Sequence, residues 1–369
     1  MPYDPLTWLK GRPMARRISR IVRIGKIAMG GGAPISVQTM NRSPSGDIEG
    51  NLREIRAAEA AGADLTRLAV PNPDAAAAFG KIAARSPLPL IADTHFDWRT
   101  TLAAIREGAA KVRINPGNMN ADGLARVAEA AGAKGIPIRI GGNSGSILRP
   151  GMGRTLPLAE IMAGEALAWA EKLEKLSFRD IAISVKANDA AGTVLANRLV
   201  AARSDYPLHL GVTAAGPRES SLLKSAAAIG SLLLDGIGDS IRFSFTGDSA
   251  GEIAAGRELL RSLGLRREGP EIISCPACGR AKVDLPELVR QAEERLRHIQ
   301  TPLRIAIMGC EVNGPGEARD ADLGLASAGG VLHLFIRGEV VEKAPPGRAI
   351  DRLIEEAEKM CGEANNPKA

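Results

Sequence analysis

Eight short apolar runs, each followed by a stretch of helix formers, constrain this chain more than any other feature. The runs are ISVQTM (35–40), LTRLAV (65–70), LIADTHF (90–96), KVRINPG (111–117), IPIRIGGN (136–143), IAISVKA (181–187), LHLGVTA (208–214) and SIRFSFTG (240–247). Segments such as IEGNLREIRAAEAAGAD and DGLARVAEAAGAKG lie between them, helical in period and closed by glycine. Eight βα repeats in about 250 residues fit a (β/α)8 TIM barrel, an α/β fold. A doubly wound open sheet is the alternative. It carries fewer strands and a glycine-rich first turn, and no G-x-G-x-x-G follows the first run here.

The runs share an oddity. Arg67, Arg113, Arg139, Lys186 and Arg242 each interrupt or end an otherwise apolar strand, Asp93 and His95 do so on the third, and Thr213 on the seventh. In a barrel these positions converge at the C-terminal mouth. One strand-end arginine is readily explained by a helix carboxylate outside the barrel. Five at one mouth would repel one another unless an anion joined them. Asn115, Asn143, Ser144, Ser146, Ser184 and Ser244 add neutral donors. Phosphate oxygens accept hydrogen bonds and donate none, so cations among amides and hydroxyls predict a diphosphate pocket. Asp93 and His95, two apart, face one side of their strand.

After SLGLRREG the pattern changes. IISCPACGR, the helix DLPELVRQAEERLRHI, the strand LRIAIMGC, a glycine-rich loop EVNGPGEARDAD, a hairpin through LHLFIRGEVVEK and the helix AIDRLIEEAEKM make a second, α+β unit of about 90 residues, enough for its own core. The expected division is an extension over 1–15, a barrel over 16–268, a small domain over 269–362 and a tail over 363–369, with Met14 a candidate start. Cys275 and Cys278 stand at C-x-x-C spacing, Cys310 ends a strand, and Glu317 lies in the loop beyond it. Idle thiols, structural zinc and an iron–sulfur cluster are the readings open for this set. Zinc wants a fourth Cys or His, and His298 and His333 show no pairing pattern. A cluster usually takes four thiolates. Cys361 supplies a fourth by count, yet Glu317 is better placed, and an oxygen ligand suits an iron that must also meet substrate.

Bulk properties exclude several classes. Four cysteines in 369 residues cannot make a disulfide scaffold, so a reducing cytoplasm is expected. No apolar run reaches the roughly 18–20 residues of a membrane span. The net charge of +6 is a modest excess without long basic runs, and aromatics are only 3%, too few to stack bases, so no nucleic acid is expected.

The stretches APISVQTM, TRLAVP, IADTHF, VRINPGN, IRIGGNSGS, LHLGVTAAG, GIGDSIRFSFTGD, SCPACGR and MGCEVNGPGEA together resemble the bacterial two-domain 4-hydroxy-3-methylbut-2-enyl diphosphate synthase family of the methylerythritol phosphate route to isoprenoids. The likeness runs from about Arg16 to Met360, and its last two stretches are the specific ones. It implies a [4Fe–4S] cluster on Cys275, Cys278, Cys310 and Glu317. It implies 2-C-methyl-D-erythritol 2,4-cyclodiphosphate held by Arg67, Arg113, Arg139, Lys186 and Arg242, assisted by Asn115, Asn143, Thr213 and Ser244. Asp93, His95 and Glu317 become the candidates for the chemistry. The implied reaction is a two-electron reductive ring opening with loss of water, fed one electron at a time by reduced flavodoxin or ferredoxin, in a homodimer. A zinc-containing barrel lyase or aldolase with a Schiff base on Lys186, and a non-catalytic iron–sulfur or nucleic-acid-binding protein, remain the alternatives.

The chain departs from that family twice. Relatives usually read T-E-A-G after the seventh strand, where this chain has Thr213, Ala214, Ala215 and Gly216. After Met40, NRSPSGD replaces a threonine-rich run.

Overall fold

A computed structural model describes residues 15–94, 97–115, 119–147, 157–312 and 314–365. The chain forms two compact units that divide between Arg266 and Arg267.

In the first unit eight parallel strands follow one another around a barrel: β3 (Ser36–Met40), β4 (Leu65–Ala69), β5 (Leu90–Asp93), β6 (Lys111–Ile114), β7 (Ile138–Asn143), β8 (Ile181–Lys186), β9 (His209–Leu210) and β10 (Ser240–Ile241). Each pairs with the next up to β8, and β10 pairs with both β9 and β3. The seam between β8 and β9 closes through an isolated parallel bridge, Ile183 to Leu208. Closure excludes the open doubly wound sheet. The last two strands are much shorter than the runs 208–214 and 240–247 predicted. The chain still pairs beyond them, Arg242 N–H donating to Leu210 O and Thr213 N–H to Ala187 O, each at 3.0 Å. Ala214, at φ +49°, then turns the seventh run out of the ladder.

Polar N-caps start the outer helices just past the strands. Asp47, Asn72, Asn120, Asp189 and Asp248 each accept a hydrogen bond from the backbone N–H three residues on. Such a cap is worth about 1 kcal/mol over alanine and fixes where each helix begins. The apolar core lies between strands and helices, built from the outward-facing residues such as Ile138, Ile140, Ile181 and Ile183. A hairpin that the apolar runs did not announce, β1 (Val22–Ile24) with β2 (Ile27–Met29), packs Val22, Ile24 and Met29 on Leu65, Ile91 and Ala182. Those three are inward-facing residues near the strands' N-terminal ends, so the hairpin plugs that end of the barrel.

The second unit is a five-stranded sheet in chain order: β11 (Pro270–Ser274), β12 (Leu303–Met308), β13 (Leu323–Ala328), β14 (Val331–Ile336) and β15 (Glu339–Ala344). The first three are parallel, the rest antiparallel. Helices Leu285–Arg295 and Pro346–Asn365 cover one face through Leu288, Leu353 and Ile354, while Met308, Ala318 and Phe335 cluster on the other. Two elements were not foreseen. β13 is rich in alanine and glycine, and the loop read as EVNGPGEARDAD contains the short helix Gly314–Arg319, with Pro315 tolerated in the first turn. Among the described residues no helix is long and apolar enough to cross a membrane.

Candidate anion pocket and thiol set

Alternation along the barrel strands decides what fills the barrel. Ile138, Ile140, Ile181 and Ile183 face the helices, so Arg139, Gly141, Asn143, Ser184 and Lys186 face inward. The same phase turns Arg67, Asp93, Lys111, Arg113, His209 and Arg242 to the inside. A barrel interior is ordinarily branched and aliphatic; this one is largely cationic.

At the strands' C-terminal ends a cavity of about 140 Å³ is lined by Arg67, Arg113, Arg139, Lys186 and Arg242 and by a single carboxylate, Asp93. Asn143, Ser184, Thr213 and Ser244 complete its polar wall, with Val212. Asp93 is buried and stands between two arginines: its Oδ1 accepts from Arg113 Nη1 at 3.2 Å, and its Oδ2 lies 3.5 Å from Arg67 Nε. Arg139 is only 1% exposed, and its closest named partner is Gln38 Oε1 at 3.4 Å. Met40 Sδ accepts from Arg67 Nη2 at 2.9 Å and from Arg242 Nη1 at 3.8 Å. The Nε donors of Arg139 and Arg242 make no hydrogen bond.

Confining this much like charge is unfavourable. Burial, then Arg67 and Arg113, pushes Arg139 down, and burial, then Arg139, Arg67, Arg242 and Arg113, pushes Lys186 well below the usual lysine range. Burial and Arg67 bring Arg242 down to about 10 against the opposing pull of Glu252. Each desolvated ion costs several kcal/mol unless countercharge meets it. An anion with several acceptor oxygens would recover that cost.

Glycines make room for the cations. A Cβ on Gly141 would sit 2.3 Å from Arg113 Nε, and one on Gly211 would sit 2.6 Å from Lys186 Nζ and 2.7 Å from Arg242 O. The glycines in IRIGGN and LHLGVTA are therefore part of the pocket.

The structure brings ten of the expected barrel residues to one cavity. Asn115 is buried just beyond β6 but does not line it. His95 lies outside the described residues, as does the side chain of Ser146. Four contributors went unforeseen. Gln38, Lys111 and His209 share the inward phase, a signal present in the sequence. Glu252 sits on helix Ser249–Ser262, 1% exposed, and accepts from Arg42 at 2.8 Å and from Arg242 at 3.4 Å. The departure after Met40 thus supplies a cation that shares Glu252 with Arg242.

In the second unit the thiols follow adjacent parallel strands. Ser274 pairs with Ile307, so Cys275 leaves its strand level with Met308, two residues before Cys310, and Gly309 N–H donates to Cys275 Sγ at 3.5 Å. Ala277 takes φ +50°, a left-handed conformation that costs an alanine about 1–2 kcal/mol, between the two cysteines of the C-x-x-C loop. Strain of this kind concentrates at functional sites. Hydrogen bonds to Arg280, backbone first, hold the Cys278 thiol below its usual range, and the Arg280 guanidinium also feels Cys310 and Cys275. A cation hydrogen-bonded to the Cys278 sulfur favours its thiolate, the form that ligates metal. Cys310 is buried, Cys275 half-buried and Cys278 exposed. Glu317 lies on helix Gly314–Arg319, and among the described residues no three such side chains converge on one metal-binding point. Cys361 belongs elsewhere, on the last helix beside His298 and Glu358.

Fold and site together define a class: a TIM barrel with a cationic cavity at its mouth, continued in sequence by an α+β unit that carries three cysteines at its strand ends. The chain belongs to the GcpE family, matching the GcpE TIM-barrel domain over residues 19–257 and the GcpE protein C-terminal domain over 271–359. It is 48% identical over 356 residues to 4-hydroxy-3-methylbut-2-en-1-yl diphosphate synthase (flavodoxin) 1 of Streptomyces coelicolor, covering 95% of this chain and 92% of that protein. A protein of Salinispora tropica named 4-hydroxy-3-methylbut-2-en-1-yl diphosphate synthase (flavodoxin) is 46% identical over 355 residues, 95% of this chain and 91% of that one. Among solved structures, dihydropteroate synthase from Stenotrophomonas maltophilia matches 67% of this chain and 97% of its own at TM-score 0.50 and 18% identity, a likeness of fold alone.

Proposed function

We propose that this chain reductively opens 2-C-methyl-D-erythritol 2,4-cyclodiphosphate to (E)-4-hydroxy-3-methylbut-2-enyl diphosphate. The observation that carries the substrate class is the cavity with five cations and one carboxylate. Arg67, Arg113, Arg139, Lys186 and Arg242 bind the two phosphoryl groups, and Asn143, Thr213 and Ser244 donate to the remaining oxygens. Asn115 supports the end of β6, and Asp93 holds Arg67 and Arg113 apart from one another and aimed at the ligand. At about 1.5–3 kcal/mol for each charge-assisted bond, such a clamp fixes the carbon skeleton while the ring opens.

Cys275, Cys278, Cys310 and Glu317 fit a [4Fe–4S] cluster by chemistry: three thiols, of which Cys278 is held below its usual range by Arg280, and one carboxylate, a weaker ligand than a fourth thiolate would be. When bound, the cluster supplies low-potential electrons and a Lewis-acidic iron for cleaving a C–O bond without hydrolysis. Reduced flavodoxin, or a ferredoxin in its place, delivers the electrons singly. His95 serves as proton donor to the departing oxygen, Asp93 takes its part through Arg67 and Arg113, and the active form is a homodimer in a reducing cytoplasm.

The test is turnover. Anaerobically purified chain with reduced flavodoxin and the cyclodiphosphate should release the linear allylic diphosphate and one water. A chain that binds the cyclodiphosphate but returns it unopened under reducing conditions would overturn the reading.

A further inference from the structure

Lys186 lines the cavity, and behind it a file of hydrogen bonds runs into the barrel. Its Nζ lies 3.2 Å from His209 Nε2, and His209 Nδ1 lies 3.1 Å from Ser240 Oγ. His209 and Ser240 have no solvent exposure, and Lys186 has 8%. Gly211 leaves the space through which Lys186 reaches this position.

The surroundings give the amine a reason to change state. Arg67, Arg113, Arg139 and Arg242 face Lys186, Lys111 faces His209 with its Nζ unpartnered, and Asp93 is the cavity's carboxylate. In the free barrel another positive charge here is costly, and burial also pushes His209 far below the usual imidazole range. Beside a bound polyanion the same charge is favourable. The file can serve both states without moving a heavy atom. A neutral amine accepts from His209 Nε2–H while Nδ1 accepts from the Ser240 hydroxyl. An ammonium has no lone pair, so it donates to bare Nε2, and the Nδ1–H tautomer then donates to Ser240 Oγ. A hydroxyl, which both donates and accepts, is the right terminus for such a file.

We propose that Lys186 Nζ takes one proton from solvent as a diphosphate enters the cavity, and that His209, ending on Ser240, is the positioning residue that satisfies both the amine and the ammonium. This inference rests on the diphosphate reading above. No bond of the ligand breaks in this step, and His209 acts through Lys186 alone. Because the bound state holds the extra proton, affinity should rise as pH falls through the window between the free and bound states of Lys186, and level off below it.

The experiment is calorimetric titration of inorganic diphosphate into the full chain, at one pH, in two buffers of unequal ionisation enthalpy. Binding to cations can make the ligand itself shed a proton, so the protein's share is read as the difference in proton count between the parent and a Lys186→Met chain. The parent should take up about one proton more than Lys186→Met near pH 8. His209→Phe should lose at least about half of that uptake and bind roughly tenfold more weakly near pH 8.5, yet within about twofold of the parent near pH 6.5. His209→Gln, whose amide can turn either its oxygen or its nitrogen to Lys186, should restore the parent profile. A parent whose proton count equals that of a Lys186→Met chain that still binds diphosphate overturns the inference. So does a folded His209→Phe chain with the parent's proton count and pH profile. A parent that binds no diphosphate overturns the pocket reading itself, and this inference with it.

Discussion

The barrel mouth and the thiol set solve the problem of holding a charged guest in opposite ways. In the barrel the strand ladder fixes each Cα, alternation fixes which side chains turn inward, and glycines at 141 and 211 clear their path. The cations are therefore in place before any anion arrives, and the fold bears the repulsion. In the second unit the ladder places only the roots of Cys275 and Cys310, while Cys278 is exposed and Glu317 rides on a six-residue helix. A polyanion can be met by a rigid array. A metal cluster draws its ligands in, and its binding energy becomes folding energy. The pocket should thus tolerate loss of one member gradually, and the thiol set should not.

The largest effect tests the second half of that contrast. Cys310→Ser should lose bound iron, the brown absorption and essentially all turnover, while Cys361→Ser should change none of them. Iron per chain and the visible spectrum measure both. Iron lost with Cys361 and kept without Cys310 would reverse the assignment, and a colourless parent that binds zinc would remove it.

Ala214→Glu comes next. Ala214 is exposed, beside the cavity-lining Thr213, and its left-handed backbone suits an unbranched side chain no worse than alanine. A carboxylate there could relay a proton to the departing oxygen, help that is typically worth about 10²–10⁴ in rate. We expect a gain of about 10² in kcat at unchanged iron content, the low end because other groups stand nearby. No gain over a parent of ordinary rate would mean that this mouth never needed the carboxylate.

How much of this was legible in the sequence follows from the same contrast. Arg67, Arg113, Arg139, Lys186 and Arg242 were readable because a strand has period two, and a charge in phase with its inward face stands out against isoleucine and valine. Lys111 and His209 carry the same signal one repeat earlier but sit at strand beginnings, where polar residues are ordinary. Glu252 was not readable, because a helix residue reveals its barrel partner only after the chain has closed on itself. The β1–β2 hairpin was missed because three-residue strands are too short for a period. C-x-x-C spacing gave the thiols at once, whereas the helix around Glu317 was hidden by its glycines and proline.

Another variant separates stability from binding within the barrel. Arg139→Met removes a buried charge from a crowd of like charges and leaves a similar volume. Diphosphate affinity should fall roughly ten- to thirtyfold, the loss of one charge-assisted pair. The free chain should nevertheless melt about 2–5 °C higher, since replacing buried ions by apolar groups is neutral to stabilising. A lower Tm together with parental affinity would show that Arg139 serves the fold and not the guest.

The smallest expected effect asks whether the array really is fixed in advance. Gly141→Ala introduces a Cβ 2.3 Å from Arg113 Nε, and Gly211→Ala introduces one 2.7 Å from the backbone oxygen of Arg242. Neither glycine has positive φ, so contact rather than backbone strain carries the effect. Arg113 is a side chain and can retreat, losing aim at the cavity and its 3.2 Å bond to Asp93. The backbone of Arg242 cannot retreat without opening the β9–β10 seam. Gly141→Ala should therefore weaken diphosphate binding by about three- to tenfold with Tm within about 2 °C of the parent, a displaced contact rather than a lost one. Gly211→Ala should lower Tm first and lose binding as a consequence. Calorimetric affinity set beside a melting curve for each variant gives the answer. If Gly141→Ala binds diphosphate as the parent does, the guanidinium finds its ligand from more than one position. The barrel would then be gathering its cations around the guest, much as the thiols gather around theirs, and the distinction between the two sites would fall.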